Sequence, residues 1–225
     1  LVTYNVLFNL FDDQLKDDTY SWNSRLPKLV QLIENINPDI LCVQETYPSQ
    51  LEDLKKYLGD TFNNFVGNST IGELNAIFYN KERFELDLTH YQYQEVNLSS
   101  ASLQIPISPK DDALVAAIPN FLPPDLEPGK QLTLVHLRDK LTDKRFAVMN
   151  THLTFYRINS RETQAYFIAE LVKKLHALDK TVILAGDFNT FPNRPDKSGF
   201  WYYDGSYICQ IFKTILKDTK ESALL

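Results

Sequence analysis

The stretch 181–189 reads TVILAGDFN, and it is the part of the chain that decides the fold. Its first five residues are small, branched or apolar, which is typical of a buried strand, and Gly186 predicts the end of that strand. Asp187 and Asn189 lie two positions apart, so strand periodicity would turn both side chains to one side. The stretch thus predicts a carboxylate and an amide at a strand mouth. It also fits a plain turn, because Gly, Asp and Asn are the common turn residues.

Polar residues also occur within or at the ends of three other apolar runs. The run 1–7 contains Asn5, the run 39–45 ends in Gln44-Glu45, and the run 145–153 contains Asn150-Thr151-His152 near its end. A buried polar group is costly unless it is paired. We therefore expect the four strand ends to meet, where their side chains bind one another or a cation.

Four motifs stand in the order and spacing of a known superfamily: Tyr4-Asn5, Gln44-Glu45, Asn150-Thr151-His152-Leu153 and Gly186-Asp187-Phe188-Asn189. The chain thereby resembles the endonuclease/exonuclease/phosphatase (DNase I-like) superfamily from Leu1 to about Pro192. Trp22-x-x-Arg25, Pro38-Asp39-Ile40 and the run 75–79 add to the resemblance. It implies an α/β fold: a four-layer α/β sandwich of two mixed β-sheets flanked by helices. It also implies a metal-dependent hydrolase that uses Mg²⁺, with Mn²⁺ as a second possibility.

The chain departs from the superfamily at its C-terminal end. The family pattern closes with an Asp-bearing strand and a Ser-Asp-His motif, and neither occurs in this sequence. We expect a single domain over 1–225 that lacks the C-terminal strands and a few N-terminal residues. The alternative is a non-catalytic binding module that retains the fold.

The resemblance and the chemistry of phosphate-ester hydrolysis together predict the roles of eight residues. Such hydrolysis needs a cation, a base for the water and donors for the developing charge. Mg²⁺ prefers oxygen ligands, of which one or two are carboxylates. The predicted metal ligands are Glu45 and Asn5. The predicted catalytic residues are Asp187 as the base, Asn189, which holds the water or the phosphate, and His152, which donates to a phosphate oxygen. The predicted substrate-binding residues are Asn75, Asn150 and Arg161.

Composition limits the class of protein. With 225 residues, of which 44% are apolar, the chain can bury one sizeable core, and a monomer is favoured. Its apolar runs are far shorter than the roughly 20 residues of a transmembrane helix. The two cysteines are too few for a disulfide framework. These features lean towards a cytoplasmic protein, with secretion as the alternative.

The net charge of −6 bears on the partner. Proteins that hold nucleic acid mainly through phosphate contacts have basic surfaces. The acidic balance argues against a large non-specific DNA footprint, whereas a bound cation could still receive a phosphate. Three functions follow: a phosphodiesterase acting on nucleic acid or a nucleotide end, the same chemistry on a lipid headgroup or an inositol phosphate, and the binding module.

Hydrophobic periodicity predicts alternating strands and helices. The proline-rich stretch 98–131 predicts a surface insertion that either shapes the substrate site or is merely tolerated. The aromatic group 200–203 could stack on a base or belong to the core. Strands are predicted over 1–8, 39–44, 62–66, 74–79, 84–93, 145–153 and 181–185, and helices from Ser24 to about 35, from Pro48 to Leu58 and from Arg161 to Leu178.

Overall fold

The computed structural model describes residues 1–10, 12–14, 17–66, 73–87, 94–97, 130–155, 158–190 and 206–219. The predicted insertion at 98–131, apart from its last two residues, and the aromatic group at 200–203 lie outside the described residues. The strands are β1 (Val2–Asn5), β2 (Ile40–Thr46), β3 (Phe62–Val66), β4 (Leu74–Asn80), β5 (Phe84–Leu86), β6 (Gln94–Asn97), β7 (Gln131–Asp139), β8 (Arg145–His152) and β9 (Thr181–Asp187). The helices are α1 (Trp22–Ile36), α2 (Pro48–Leu58), α3 (Ile158–Ala177) and α4 (Ser206–Lys213), besides short 3₁₀ turns at Asp12–Gln14 and Asp18–Tyr20.

Each of two mixed sheets contains one parallel pair of strands. The first sheet has the order β1-β2-β4-β3, in which only β1 and β2 run parallel. The second has the order β5-β7-β8-β9, with β6 also paired to β7, and its parallel pair is β8 and β9. Parallel strands end at the same edge of a sheet, so each sheet presents two neighbouring carboxyl ends.

Three apolar clusters show that the molecule has four layers. One cluster joins α1 and α2 to the outer face of the first sheet, and another joins α3 and α4 to the outer face of the second. The third lies between the two sheets and includes Cys42, Ile77, Val135, Val148 and Ala185. Both faces of the first sheet are covered, so β2 and β4 are buried along nearly their whole length, which explains their continuous apolar runs 40–43 and 76–79. The predicted four-layer α/β sandwich is confirmed.

Helix α1 begins earlier than its sequence pattern indicates. The side chain of Ser21 accepts the backbone N–H of Ser24, so Ser21 caps the helix in place of the predicted Ser24. The helix ends as expected, with Asn37 in the left-handed conformation. None of the described helices combines the length and the apolar character that crossing a membrane would require.

Strand β7 is the main element that the sequence analysis misses. It pairs with β5, β6 and β8 and lies in the middle of the second sheet. The insertion was predicted to extend to residue 131 because the stretch before it is rich in proline. Residue 131 is instead the first residue of β7. Of the predicted strand over 84–93, the structure shows β5 at Phe84–Leu86, residues 88–93 lie outside the described part of the chain, and β6 begins after it at Gln94.

Gly186 lies inside β9 and not after its end, because the strand continues to Asp187. Its φ is +148°, and a Cβ at this position would lie 2.1 Å from the backbone oxygen of Thr151 on β8. Any side chain there would therefore strain the backbone and push β8 and β9 apart. The glycine allows the two carboxyl ends to approach closely.

Gly186→Ala is therefore expected to lower the free energy of unfolding by about 2–4 kcal/mol, the sum of an unfavourable backbone conformation and an overpacked contact. Urea denaturation measures the effect. Thr181→Ala, at the exposed start of the same strand, is the control and should change stability by no more than about 0.5 kcal/mol. Equal stabilities of the two variants would mean that β8 and β9 can separate without cost.

Candidate active site

The polar carboxyl ends of the two parallel strand pairs, β1/β2 and β8/β9, lie together between the sheets. Asn5 at the end of β1 donates from Nδ2 to Glu45 Oε1 at 2.7 Å and to Asp187 Oδ2 at 3.0 Å. His152 at the end of β8 is paired in register with Asp187 at the end of β9. The Nδ2 of Asn189 lies 2.9 Å from His152 Nε2. The structure thus brings together all five residues predicted as metal ligands or catalytic groups.

A β-bulge turns Glu45 towards this cluster. Between Val43 and Thr46 strand β2 holds one residue more than its partner β4, and Glu45 has a φ of +58°. A bulge re-aims a side chain, and such a conformation in a residue other than glycine costs on the order of 1–3 kcal/mol. The fold thus maintains a strained backbone that directs this carboxylate towards Asn5.

Glu45 has one carboxylate oxygen without a hydrogen-bond partner. Its Oε1 accepts from Asn5, whereas Oε2 is buried and binds no group among the described residues. A buried anionic oxygen without a partner is costly in a metal-free protein. This donor set, an ionisable oxygen beside an amide and a second carboxylate, fits a hard divalent cation.

The amide orientation of Asn5 is fixed by the loop that follows it. The backbone N–H of Leu7 donates to Asn5 Oδ1 at 2.9 Å, and Leu7 has a φ of +57°. The guanidinium of Arg25 holds this loop by donating to the carbonyl oxygens of Val6, Leu7 and Tyr20. The Trp22-x-x-Arg25 motif thereby supports the site without entering it.

Asp187 and Asn189 lie on the same side for a reason that differs from the prediction. Asp187 Oδ1 accepts the backbone N–H of Asn189 at 2.9 Å, and Asn189 has a φ of +48°. The two residues therefore belong to an Asx-turn, in which the aspartate side chain accepts a backbone N–H two residues on, and they are not alternate residues of one strand. Both readings of the stretch hold, because the turn itself places the carboxylate and the amide together.

Two residues of the site carry no sequence signal of their own. Glu73 and Lys130 immediately precede β4 and β7, and their side chains form an ion pair that is 17% and 7% exposed, respectively. Glu73 Oε2 lies 3.1 Å from His152 Nδ1, and Lys130 Nζ lies 3.2 Å from the same atom. Both are single charged residues at strand starts, and only the sheet topology brings them to His152.

Glu45, Glu73 and His152 form a group whose ligand atoms lie within 4.8 Å of one another. Their environments differ. Burial raises the pKa of Glu73, but the hydrogen bonds and charges of His152 and Lys130 outweigh it and lower that pKa from 4.5 to about 2. The negative charge of Glu73 is thus balanced by Lys130 within the protein. Glu45 is the carboxylate that has an oxygen without a partner among the described residues.

The ion pair of Glu73 is expected to make the free energy of unfolding depend on pH in the acidic range. Since the folded pKa lies below the unfolded one, the unfolded chain binds the proton first, and this contribution is lost as pH falls from about 4.5 towards 2. Urea titrations between about pH 6 and pH 3.5 should show that wild-type stability falls more steeply than that of Glu73→Gln, by up to ~1.4 kcal/mol per pH unit. Parallel slopes would contradict the lowered pKa.

The residues predicted to bind substrate are more deeply placed than expected. Asn75 is 2% exposed, and Asn150 and Arg161 are not exposed at all. Asn150 accepts from Gln44 and donates to the carbonyl oxygens of Val43 and Ala76, so it ties the two sheets together. Arg161 donates to the carbonyl oxygens of Thr154 and Phe155, just beyond β8.

These contacts lead us to propose positioning roles for Asn150 and Arg161 in place of direct contact with substrate. Asn150 fixes β2 next to Glu45, and Arg161 fixes the segment after His152. For Asn75 the predicted role stays a prediction, since its position at the start of β4 beside Glu73 is near the cluster but buried.

Comparisons with known proteins agree with this architecture. The family model described as "Endonuclease/Exonuclease/phosphatase family" matches residues 2–217. A relative in sequence is the Acanthamoeba polyphaga mimivirus protein L388, 26% identical over 178 residues. That match covers 76% of this chain and 60% of the relative, so the chain spans less than two thirds of that protein.

Solved structures share the fold. An endonuclease/exonuclease/phosphatase family protein from Bacteroides thetaiotaomicron has a TM-score of 0.72 at 23% identity, over 97% of this chain and 70% of that one. The mannosyl-6-phosphatase Bt3783 of the same organism has a TM-score of 0.64 at 24% identity, over 83% of this chain and 64% of that one. At such identities the likeness establishes the fold alone.

Proposed function

The chain belongs to the endonuclease/exonuclease/phosphatase family, and we propose that it is a divalent-metal-dependent phosphoesterase that cleaves a phosphodiester bond. The favoured substrate is a nucleotide or the end of a nucleic acid. The observation that carries the proposal is the buried Glu45 Oε2, which binds no described group and lies on a carboxylate whose other oxygen is held by Asn5. A phosphoesterase needs an anionic oxygen of this kind for its cation.

In this proposal Glu45 and Asn5 hold the cation. Asn5 uses both Nδ2 hydrogens on Glu45 and Asp187, which leaves only its Oδ1 as a neutral ligand. Mg²⁺ suits one or two carboxylates supplemented by waters, and Mn²⁺ accepts the same ligands. When bound, the cation would neutralise charge that develops on the phosphate oxygens.

Asp187 is the proposed general base. Its two oxygens accept hydrogen bonds from Asn5 Nδ2 and from the Asn189 backbone. A carboxylate fixed by two donors can take a proton from a water molecule without first moving. In the proposed hydrolysis this water attacks phosphorus, the P–O bond to the leaving alcohol breaks, and the alcohol takes its proton from solvent. Asp187 returns the proton that it accepted to solvent after the products leave.

A second candidate is the same chemistry on a lipid headgroup, an inositol phosphate or a sugar phosphate. The net charge of −6 favours it, because acidic side chains outnumber the basic ones that would bind a long phosphate backbone, 29 to 23. The one lysine at the described site, Lys130, is already paired with Glu73. The fold shared with a mannosyl-6-phosphatase makes sugar phosphates a reasonable part of any substrate panel.

Ester hydrolysis on a mixed panel tests the proposal, with the products separated by chromatography so that cleavage of a diester and release of phosphate are both detected. The panel contains dinucleotides, 3′- and 5′-phosphorylated oligonucleotides, lipid headgroup esters, inositol phosphates and sugar phosphates, each with Mg²⁺, with Mn²⁺ and with a chelator. We expect hydrolysis of at least one class that the chelator abolishes. Chelator-resistant hydrolysis would contradict the metal requirement, and tight binding without any hydrolysis would favour the non-catalytic alternative.

Duplex DNA separates the substrate classes further. Since the chain carries a net negative charge, affinity for long duplex DNA should be weak and should change little between about 50 and 200 mM salt. A steep loss of affinity over that range would indicate a basic surface and would support a nucleic-acid substrate over a small ester.

A further inference from the structure

Leu7 has a backbone conformation that leucine rarely adopts. Its φ is +57°, which lies in the left-handed region, where the Cβ of an L-residue crowds the following carbonyl oxygen. Six described residues other than glycine have a positive φ, and four of them are Asn or Asp, whose short polar side chains tolerate it. The other two are Leu7 and Glu45, and both are hydrogen-bonded to the side chain of Asn5.

The surroundings hold Leu7 in this conformation. Its carbonyl oxygen accepts from the guanidinium of Arg25 and from Gln50 Nε2, each at 3.0 Å. The ring of the next residue, Phe8, lies 5.8 Å from the ring of Tyr47, measured between their centroids. A strained backbone persists only where its neighbours over-determine it, and these contacts do so.

The turn at Leu7 explains the conformation but not the leucine. The bonds to Asn5, Arg25 and Gln50 all involve the main chain of Leu7, so glycine or asparagine would make them at a lower conformational cost. Packing accounts for only part of the choice, because Leu7 is 51% exposed. An exposed apolar side chain on a strained backbone beside the proposed metal ligands indicates a contact with a ligand.

Tyr20 provides a second exposed side chain next to Leu7. Arg25 donates from Nε to the carbonyl oxygen of Tyr20 at 2.7 Å and from Nη2 to that of Leu7, so one guanidinium holds both main chains. Tyr20 is 62% exposed. Its ring is a surface on which a nucleobase can stack, and such stacking does not depend on which base is present.

We propose that Leu7 and Tyr20 form an apolar rim that binds the nucleobase of the substrate while the adjacent phosphate lies at Asn5 and Glu45. This rests on the proposed function and narrows it to nucleotide substrates, since inositol phosphates and sugar phosphates carry no aromatic group for the rim. A short nucleotide also suits the net charge of −6, because it has few phosphates that need basic partners. An alkyl ester shares the apolar chemistry, and the experiment distinguishes it.

The affinities of three phosphate monoesters test the rim. AMP, ribose 5-phosphate and hexyl phosphate are titrated into the protein with Mg²⁺, and isothermal titration calorimetry gives each Kd. Ribose 5-phosphate has the sugar and the phosphate of AMP without the base. We expect AMP to bind at least about 10-fold more tightly than either of the others, as stacking of a base on an aromatic side chain implies. Equal Kd values for AMP and ribose 5-phosphate would overturn the proposal, and hexyl phosphate that binds as tightly as AMP would overturn the nucleobase as the occupant.

Variants assign the preference for AMP to the rim. Leu7→Asn and Tyr20→Ala should each reduce the preference for AMP over ribose 5-phosphate by about threefold or more, with the Kd of ribose 5-phosphate unchanged, whereas Leu7→Met should retain it. Leu141→Ala is the control, because Leu141 is 79% exposed in the turn before β8, at the opposite end of that strand from His152. A wild-type preference in either Leu7→Asn or Tyr20→Ala would overturn the proposal.

The strain at Leu7 is tested without any ligand. Leu7→Gly should have a higher urea midpoint than Leu7→Ala, the reverse of the usual order, because only glycine relieves the strained φ. A lower midpoint for Leu7→Gly would overturn the strain on which the inference depends. If no class of the mixed panel is hydrolysed, the proposed function fails, while the AMP titrations still decide what the rim binds.

Discussion

Replacing Asp187 with asparagine is expected to leave the protein folded and to lower turnover by roughly 10²-fold or more. The change preserves size but removes the group that accepts the proton of the attacking water. An asparagine has one acceptor oxygen, so only one of the bonds from Asn5 and the Asn189 backbone can be kept. We therefore expect a stability loss of about 1–3 kcal/mol, which is smaller than the typical stability of a domain.

The assay pairs turnover with circular dichroism and urea denaturation. Asp179→Asn is the control for the chemical change, because Asp179 is an exposed aspartate just after the end of α3. Its turnover and stability should equal those of the wild type. A folded Asp187→Asn protein with normal turnover would remove Asp187 from the chemistry. An unfolded one would show that the residue is needed chiefly for its turn.

Glu45→Gln should abolish tight binding of the cation and reduce activity in parallel. The substitution replaces the buried oxygen that lacks a described partner with an amide, which leaves too few anionic oxygens for a hard cation. We expect Mn²⁺ affinity, measured by isothermal titration calorimetry, to fall by more than the roughly 10- to 100-fold typical of outer-shell changes. Activity at saturating Mg²⁺ should stay far below that of the wild type.

The same variant should behave differently in the absence of metal. Since the wild type buries an anionic oxygen that has no partner among the described residues, removing that charge should leave the free energy of unfolding unchanged or raise it. Glu34→Gln, exposed on α1, is the control and should alter neither property. Metal titration curves for Glu45→Gln that coincide with the wild type would make the metal assignment wrong.

The proximity of the predicted site residues follows from the sequence because simple rules of strand pairing bring them together. Asn5, Glu45, His152 and Asp187 lie at or next to the carboxyl ends of apolar strands, and parallel pairing of β1 with β2 and of β8 with β9 places those ends side by side. Strand-end polarity is visible in the sequence.

Other features could not be predicted because they depend on tertiary contacts. The bulge that turns Glu45 inward appears only when β2 is paired with β4. The pairing of Glu73 with Lys130 joins residues 57 positions apart, and neither belongs to a motif. The fully buried positions of Asn150 and Arg161 are likewise hidden. Asn150 lies in an apolar run, where a polar side chain fits a substrate contact as well as a bridge between two layers, and Arg161 lies in the polar stretch 159–163, which fits an exposed position.

The central claim is that Glu45, and not the neighbouring Glu73–His152 pair, holds the cation of a hydrolytic site. Anomalous diffraction from crystals grown with Mn²⁺ tests it most directly, because the three candidate ligands lie within one small cluster. The account predicts a single strong peak in contact with Glu45 Oε2 and on the side of Asn5, with the ion pair between Lys130 and Glu73 intact. A peak bound to Glu73 and His152, with Lys130 displaced and Glu45 uncoordinated, would contradict it.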